Sequence, residues 1–437
     1  MIQLYAYVSV ATICLILLWI RLKQTKCHSP LPPSPKSDPL IGNLRTMMNI
    51  VDEPRAYRDW GLKFGNREGD IISITLPGRI IIILNSQEAI DELLVKRSSI
   101  YSDRPYIPMI SSERLFQRKM MHEVLQKSAN EERWPLIERD SRLALQRIMA
   151  NPSNFSQELR RQWRLPLKGL SKQWWFRLPG AAWKAKANTW RKQKDYMIQV
   201  LFEWAKNKMS TGQEAHSMLS GWLNEYMGQD STVPLNELED RIRWVAGGMF
   251  AAGTDTSLVT LRTFILAMAM LPDIQSKAQA QIDSAISTRF PELSDQDSLP
   301  YMLCIIKEVM RWRISLSLAL PHGCIQDDTL GNAWAISNNP DVYTDPKRFN
   351  PDRFLNPLVP DAPAFGFGRR ICPGQYHAEA VIFITTAGLL PMFHICPEED
   401  TNGKPTQLRT ETALNEVLRF IPRSEKHEQI VREWEGL

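Results

Sequence analysis

Residues 236–271 hold the longest helical pattern in the chain and constrain its fold more than any other stretch. Leu238, Ile242, Val245, Met249, Ala252, Thr256 and Val259 recur at three- and four-residue steps, one face of a 3.6-residue period. Pro272 stops the pattern. Such a helix is about 50 Å long and crosses a whole domain. Most later segments also read as helix, while residues 71–84, IISITLPGRIIIIL, read as two strands around a turn at Pro77-Gly78. The fold expected is mainly α with a small β-sheet region. Gly247, Gly248 and Gly253 weaken the long helix by about 1 kcal/mol each against Ala. Two explanations stay open: close helix packing at the glycines, or a ligand pressed against the helix middle.

Residues 1–20 carry no charge, and about 20 helical residues span the ~30 Å hydrocarbon core. Arg21, Lys23 and Lys26 follow at once, so the positive-inside rule puts the rest of the chain in the cytosol. The rival, a cleaved signal peptide, normally has a basic start and a small-residue cleavage site, and neither is present. Pro30, Pro32, Pro33, Pro35 and Pro39 predict a stiff spacer. The organisation expected is a transmembrane anchor over 1–20, a basic, proline-rich linker over 21–40, and one domain over 41–437. Hydrophobic residues at 43% and charged residues at 23% exclude a disordered, collagen-like or multi-span chain.

The net charge of +5 is too small to argue for nucleic acid by itself. Between Arg160 and Lys194, however, stand eleven Lys/Arg and no Asp or Glu, interleaved with Trp163, Trp174, Trp175, Trp183 and Trp190. With an anchor present, this reads as a surface on anionic headgroups. Single-stranded nucleic acid and a solvated helical face are the alternatives, and no nucleic-acid partner is expected.

Six cysteines, Cys14, Cys27, Cys304, Cys324, Cys372 and Cys396, show no CxxC pattern and no disulfide framework. One of them has a distinctive setting. Residues 365–374 read Phe365-Gly366-Phe367-Gly368-Arg369-Arg370-Ile371-Cys372-Pro373-Gly374. The glycines permit a tight loop, and a helical segment begins at Gln375. A helix N-terminus favours a thiolate. A lone thiolate cannot hold zinc but can be the single protein ligand of a haem iron. The alternative is a free buried cysteine.

This loop resembles the haem-binding signature of the cytochrome P450 monooxygenases, Phe-x-x-Gly-x-Arg-x-Cys-x-Gly, and the resemblance runs from the anchor to about residue 425. Residues 252–257, Ala-Gly-Thr-Asp-Thr-Ser, resemble the family's oxygen-binding segment of its long central helix. Glu308 and Arg311 match its Glu-x-x-Arg, and Pro351-Asp352-Arg353-Phe354 its later arginine motif. The wording around Trp175–Trp190 and Tyr101–Pro105 is most similar to fungal members. The resemblance implies haem b with Cys372 as axial iron ligand, its thiolate pushing electron density to favour O–O cleavage. Asp255 and Thr256 would relay protons to dioxygen, and Gly253 would leave room for it. Gly368 and Gly374 belong to the cofactor loop, and Phe365 would shield the thiolate or pack in the core. Arg370, His322 and Arg118 would bind the haem propionates. Glu308, Arg311 and Arg353 would form a network supporting the haem loop. Electrons would come from an NADPH-dependent reductase docking near Arg369, and the substrate would be an apolar small molecule of secondary metabolism. Such a chain is expected in the endoplasmic reticulum membrane as a single-pass protein touching lipid.

Several segments are shorter than the family's. Between Pro105 and His122 a longer loop and a Trp-x-x-x-Arg helix are expected, yet Arg114 stands where Trp belongs before Arg118. The stretch near 150–163 is short for two helices. After Leu330 the chain runs straight into Gly331-Asn332-Ala333-Trp334, where relatives carry a strand hairpin. A catalytically silent haem or apo protein of the same fold is therefore the alternative to a working oxidoreductase.

Overall fold

The structure, a computed structural model, describes residues 30–64, 70–104, 114–151, 155, 181–211, 218–227, 234–286, 289–323, 328–399, 403–408, 418–425 and 429. The expected anchor, most of the Trp-rich basic segment and most of the short stretch near 150–163 lie outside them. Among the described residues no single helix is long and apolar enough to cross a membrane.

The chain runs through α1 Glu53–Phe64, β1 Ile71–Leu76, β2 Arg79–Leu84, α2 Arg114–Leu125, α3 Lys127–Glu131, α4 Trp134–Ala150, α5 Ala181–Ser210 and α6 Met218–Met227. It continues through α7 Leu235–Met270, α8 Pro272–Ala285, α9 Pro300–Trp312, β3 His322–Gly323, β4 Asp328–Gly331, α10 Ala333–Ser337, α11 Gln375–Met392, β5 Phe393–Pro397 and β6 Leu418–Pro422. Short helical turns lie between these. Two compact units divide the chain. The first comprises Met1–Ser111, Met310–Arg348 and Leu358–Cys372; the second comprises Ser112–Val309, Phe349–Pro357 and Pro373–Leu437.

In the first unit, the expected hairpin forms between β1 and β2, with Ile71 opposite Leu84 and Gly78 at φ +80° in the turn. The sheet order is β1-β2-β4-β3, β4 running parallel to β2 and antiparallel to β3. Apolar residues cover both sheet faces, which explains why the sequence shows a continuous apolar run rather than alternation. Ile72, Ile74, Ile81 and Ile83 pack with Tyr57 of α1, while Leu84 packs with Ile90, Leu94 and Phe367. Each fully buried isoleucine contributes about 1.5–3 kcal/mol.

One expectation is corrected here. The proline run is not simply a spacer. Pro33 accepts a hydrogen bond from the Ser73 amide at 2.8 Å, and Pro32 accepts one from the Ser73 hydroxyl at 2.7 Å, so the run covers the outer edge of β1. Such an edge otherwise exposes unpaired backbone. After Leu330 the chain stays in the sheet: β4 pairs with β2 over Asp328–Gly331 and with β3 at Asp328 and Thr329. Asn332 caps α10 through the Ala335 amide and donates to Pro54 and Asn85. Trp334 carries the Arg58 guanidinium 4.9 Å from its ring.

The second unit is built on α7, the expected long helix, which ends at Met270 as Pro272 opens α8. Leu238, Ile242 and Val245 of α7 pack with Phe202 of α5, Trp222 of α6 and Met120 of α2. Helix α11 is buried at every residue from Ala380 to Met392. A helix apolar all round must lie inside the protein.

Candidate functional site

Two parts of the chain hold the candidate site residues. The first is the cysteine loop. The Cys372 amide donates to the Phe365 carbonyl at 2.8 Å, closing the loop, and Gly368–Arg370 form one 3-10 turn within it. Gly368 has φ +53°, and a Cβ there would lie 2.3 Å from the Leu94 carbonyl oxygen. Only glycine meets both demands. Gly374 caps α11 at φ −89°, a conformation open to other residues, so backbone geometry does not explain its glycine. The thiol-bearing Cys372 is exposed, while Phe365 is half-buried. Cys304 is buried and Cys396 half-buried, both with thiols raised by burial.

Around this loop the first unit gathers positive charge. The Arg370 Nε donates to the Ser102 carbonyl. Arg104 donates through Nη1 to the Leu320 and Pro321 carbonyls at 2.7 and 2.6 Å. His322, buried on β3, donates Nδ1–H to the Tyr101 carbonyl at 2.9 Å. Burial first, then the Arg104 charge, lowers its pKa to about 4, so the ring is neutral near pH 7. The Ser102 hydroxyl oxygen is buried without a hydrogen-bond partner. Two guanidiniums, a neutral imidazole and an orphaned hydroxyl suit an anionic ligand.

Among the described residues no cluster of three or more His, Cys, Asp or Glu side chains could hold a metal ion. The donor set present, one thiol beside cationic anchors for carboxylates, fits an iron carried in a macrocycle. Arg118 lies on α2, but its side chain is outside the described ones. Arg104 was missed by sequence reasoning. It stands inside the Tyr101–Pro105 wording, but its carbonyl partners are over two hundred residues away.

The second part is the middle of α7. Its stripe is buried at Leu238, Ile242 and Val245 but opens at Ala252, which is exposed, and at Thr256 and Val259, which are half-buried. Asp255 is exposed and Gly253 half-buried. The Thr256 hydroxyl donates to the Ala252 carbonyl at 2.9 Å. Back-bonding of this kind bends a helix locally. The glycines differ: Gly247 is buried against Ile198, as close helix packing requires, whereas Gly248 is exposed with nothing within 4 Å of a Cβ.

The three residues proposed as loop support are all buried. Glu308 accepts from the Arg353 Nε at 3.1 Å and from the Asn350 amide at 2.8 Å. Arg353 is 7% exposed and Glu308 fully buried. One helical turn on, Arg311 donates to the Ser337 carbonyl at 2.9 Å and lies 5.3 Å from the Tyr343 ring. The Tyr343 hydroxyl donates to the Pro360 carbonyl at 3.0 Å, in the segment leading to the cysteine loop. Asn350 and Tyr343 were not legible as partners, since neither belongs to a spaced motif.

Comparison with known proteins agrees with these observations. The family model for Cytochrome P450 matches residues 118–423. A cytochrome P450 monooxygenase of Armillaria gallica is 33% identical, covering 89% of this chain and 90% of the relative. Cytochrome P450 monooxygenase COX2 of Coprinopsis cinerea is 32% identical, covering 87% and 85%. The first alignment extends over 473 positions, more than the 437 residues of this chain, so the relative carries segments that this chain lacks. A zebra fish cytochrome P450 structure with progesterone superposes with a TM-score of 0.67 at 18% identity, covering 86% of this chain and 100% of that one. Its likeness is one of fold. With the signature loop, the long helix and these relatives together, the chain belongs to the cytochrome P450 family of monooxygenases.

Proposed function

We propose that this protein oxidises an apolar small molecule with dioxygen and electrons from an NADPH-dependent reductase. The observation that carries the proposal is the closed Phe365–Cys372 loop, which presents an exposed cysteine beside the Arg104, Arg370 and His322 cluster. Haem would supply dioxygen activation, with thiolate donation favouring O–O cleavage. Cys372 would hold the iron, and Arg104, Arg370 and neutral His322 would hold the propionates by charge and hydrogen bonding. Asp255, exposed on α7, would exchange protons with solvent. Thr256 Oγ1 would accept a hydrogen bond while its own hydrogen is held by the Ala252 carbonyl, and would relay a proton by turning that hydrogen toward the acceptor as it takes up another. The apolar substrate class is supported by exposed Ala252 and half-buried Val259 on α7, with Asp255 the charged side chain that shares their face.

We further propose that residues 1–20 anchor the chain in the endoplasmic reticulum membrane, with the catalytic part in the cytosol and the basic Trp-rich segment on lipid. The uncharged run followed by Arg21, Lys23 and Lys26 supports this. Arg369, exposed on the cysteine loop, is the proposed reductase contact.

The test is Cys372→Ser in the full chain. A hydroxyl cannot supply thiolate donation, so the thiolate–CO absorption of the reduced protein and oxidation should vanish together. Cys304→Ser and Cys396→Ser should keep both. A thiolate–CO band that survives in Cys372→Ser removes Cys372 as ligand and the proposal with it.

A further inference from the structure

Gly331 ends β4 beside the cysteine loop, and space rather than backbone conformation asks for glycine there. A Cβ at Gly331 would lie 2.6 Å from Phe367 Cε2 and 3.2 Å from Ile90 Cδ1. Phe367 is 5% exposed and packs with Leu84, Ile90, Leu94 and Ala333, so its ring turns aside only by moving its neighbours. Gly331 cannot retreat either. It pairs with Leu84 of β2, and the following Asn332 amide donates to the Leu84 carbonyl at 2.7 Å. The residue after Phe367 is pinned as well. Gly368 has φ +53°, and its backbone lies against the π-helical turn Asp91–Lys96, where a Cβ would come within 2.3 Å of the Leu94 carbonyl oxygen. Phe367 and Gly368 both belong to the loop that the Cys372 amide closes on the Phe365 carbonyl. Two glycine contacts of separate origin, one with β4 and one with the π-helical turn, thus hold consecutive residues of that loop.

We propose that Gly331 is a positioning residue for the iron ligand: its missing side chain seats Phe367, and that seat fixes the Phe365–Cys372 loop so that Cys372 is presented in one geometry. A methyl group at 331 must displace the ring, because β2 holds Gly331 and a packed interior passes strain on. With Gly368 pinned on Leu94, the displacement runs along the loop to its closing hydrogen bond. The direct run from Leu330 into Gly331 therefore serves the cysteine loop as well as the sheet. The inference rests on the reading of Cys372 as the iron ligand.

The test uses the full chain, haem-loaded, with two readouts at a temperature where every variant is folded. One is hydrogen exchange of the Cys372 amide; the other is the share of the reduced CO complex in the thiolate form. Gly331→Ala should exchange that amide at least about tenfold faster than the wild type and lower the thiolate share at least about twofold. Phe367→Leu removes about as much volume as Gly331→Ala adds, so the double variant should lie closer to the wild type than Gly331→Ala does in both readouts. Gly388→Ala is the control for overpacking alone. A Cβ there would lie 2.5 Å from Phe290 Cζ and 2.8 Å from Leu145 Cδ1, so Tm should fall while neither readout changes. Gly331→Ala matching the wild type in either readout overturns the proposal. So does a double variant no better than Gly331→Ala, or Gly388→Ala shifting both readouts as far. Should Gly331→Ala fail to fold, the double variant decides: it should fold with the wild-type thiolate share, and its failure to fold or a lowered share overturns the proposal. A wild type without a thiolate–CO band overturns the haem-thiolate reading and the role of Gly331 together, whereas a normal band with unchanged exchange in Gly331→Ala overturns the role of Gly331 alone.

Discussion

His322 and His377 show how burial fixes a charge state that residue type leaves open. Burial and the Arg104 charge lower His322 to about 4. Burial and Arg133 lower His377 to about 4, its Nδ1 lying 3.2 Å from the Asn130 Oδ1. In the unfolded chain both titrate at their ordinary value of 6.5. As pH falls from 6.5 toward 4, the unfolded chain takes up protons that the folded chain refuses, so stability present above 6.5 is lost across that window. The full effect per ring is at most about 3 kcal/mol, and solvent access to these partly buried groups brings it to about 1–2 kcal/mol. Thermal melts between pH 7 and pH 4 should fall less steeply for His377→Gln than for the wild type; parallel curves would show that His377 does not contribute. Neither shift was legible in the sequence, because burial, the main cause, and the lesser charges of Arg104 and Arg133 are set by how distant segments pack. The tight loop ending at Cys372 was legible because it is local: its closing hydrogen bond joins residues seven apart.

At the scale of the element, the turn Pro351–Leu355 holds two ion pairs of opposite worth. Lys277 meets Asp352 at 2.6 Å, but both side chains are at least half exposed. The neighbouring Arg353 meets Glu308 with both buried. An exposed pair contributes about 0–1 kcal/mol, whereas removing one partner of a buried pair costs about 3–5 kcal/mol by stranding the other charge. Glu308→Gln should therefore lower Tm and haem retention sharply, while Lys277→Ala should change Tm by little; similar small shifts for both would place Arg353 in contact with water. The elements themselves were largely readable from period. The stripe from Leu238 to Val259 gave α7, and the apolar runs around Pro77-Gly78 gave the hairpin. The docking of Pro32 and Pro33 on β1 was not readable. Proline stiffness is a local property, but which strand edge needs covering depends on pairings across the chain.

For the whole molecule, the missing segments are not equivalent, and this yields a prediction that the sequence alone orders differently. From sequence, grafts between Pro105 and Arg118 and after Leu330 should both improve haem closure, since both replace segments that relatives carry. The structure separates them. After Leu330 the gap is already bridged: β4 has partners on both edges, Asn332 donates to Pro54 and Asn85, and Trp334 stacks under Arg58. A hairpin inserted there must break those hydrogen bonds, at roughly 1 kcal/mol each or more where a buried group is left unpaired. At the other position, Arg118 begins the matched family region, and the residue expected as its Trp neighbour is Arg114. Haem adds stability only as far as the folded chain binds it, by RT ln(1 + [L]/Kd). A relative's segment between Pro105 and Arg118 should therefore raise haem occupancy and Tm, while one after Leu330 should leave occupancy unchanged or lower it. The measurement is haem-to-protein ratio after expression with excess haem, with the unmodified chain alongside. Equal gains from both grafts would mean that the short connection at Gly331–Trp334 weakens the fold despite its hydrogen bonds, and stoichiometric haem in the unmodified chain would mean that neither segment limits binding.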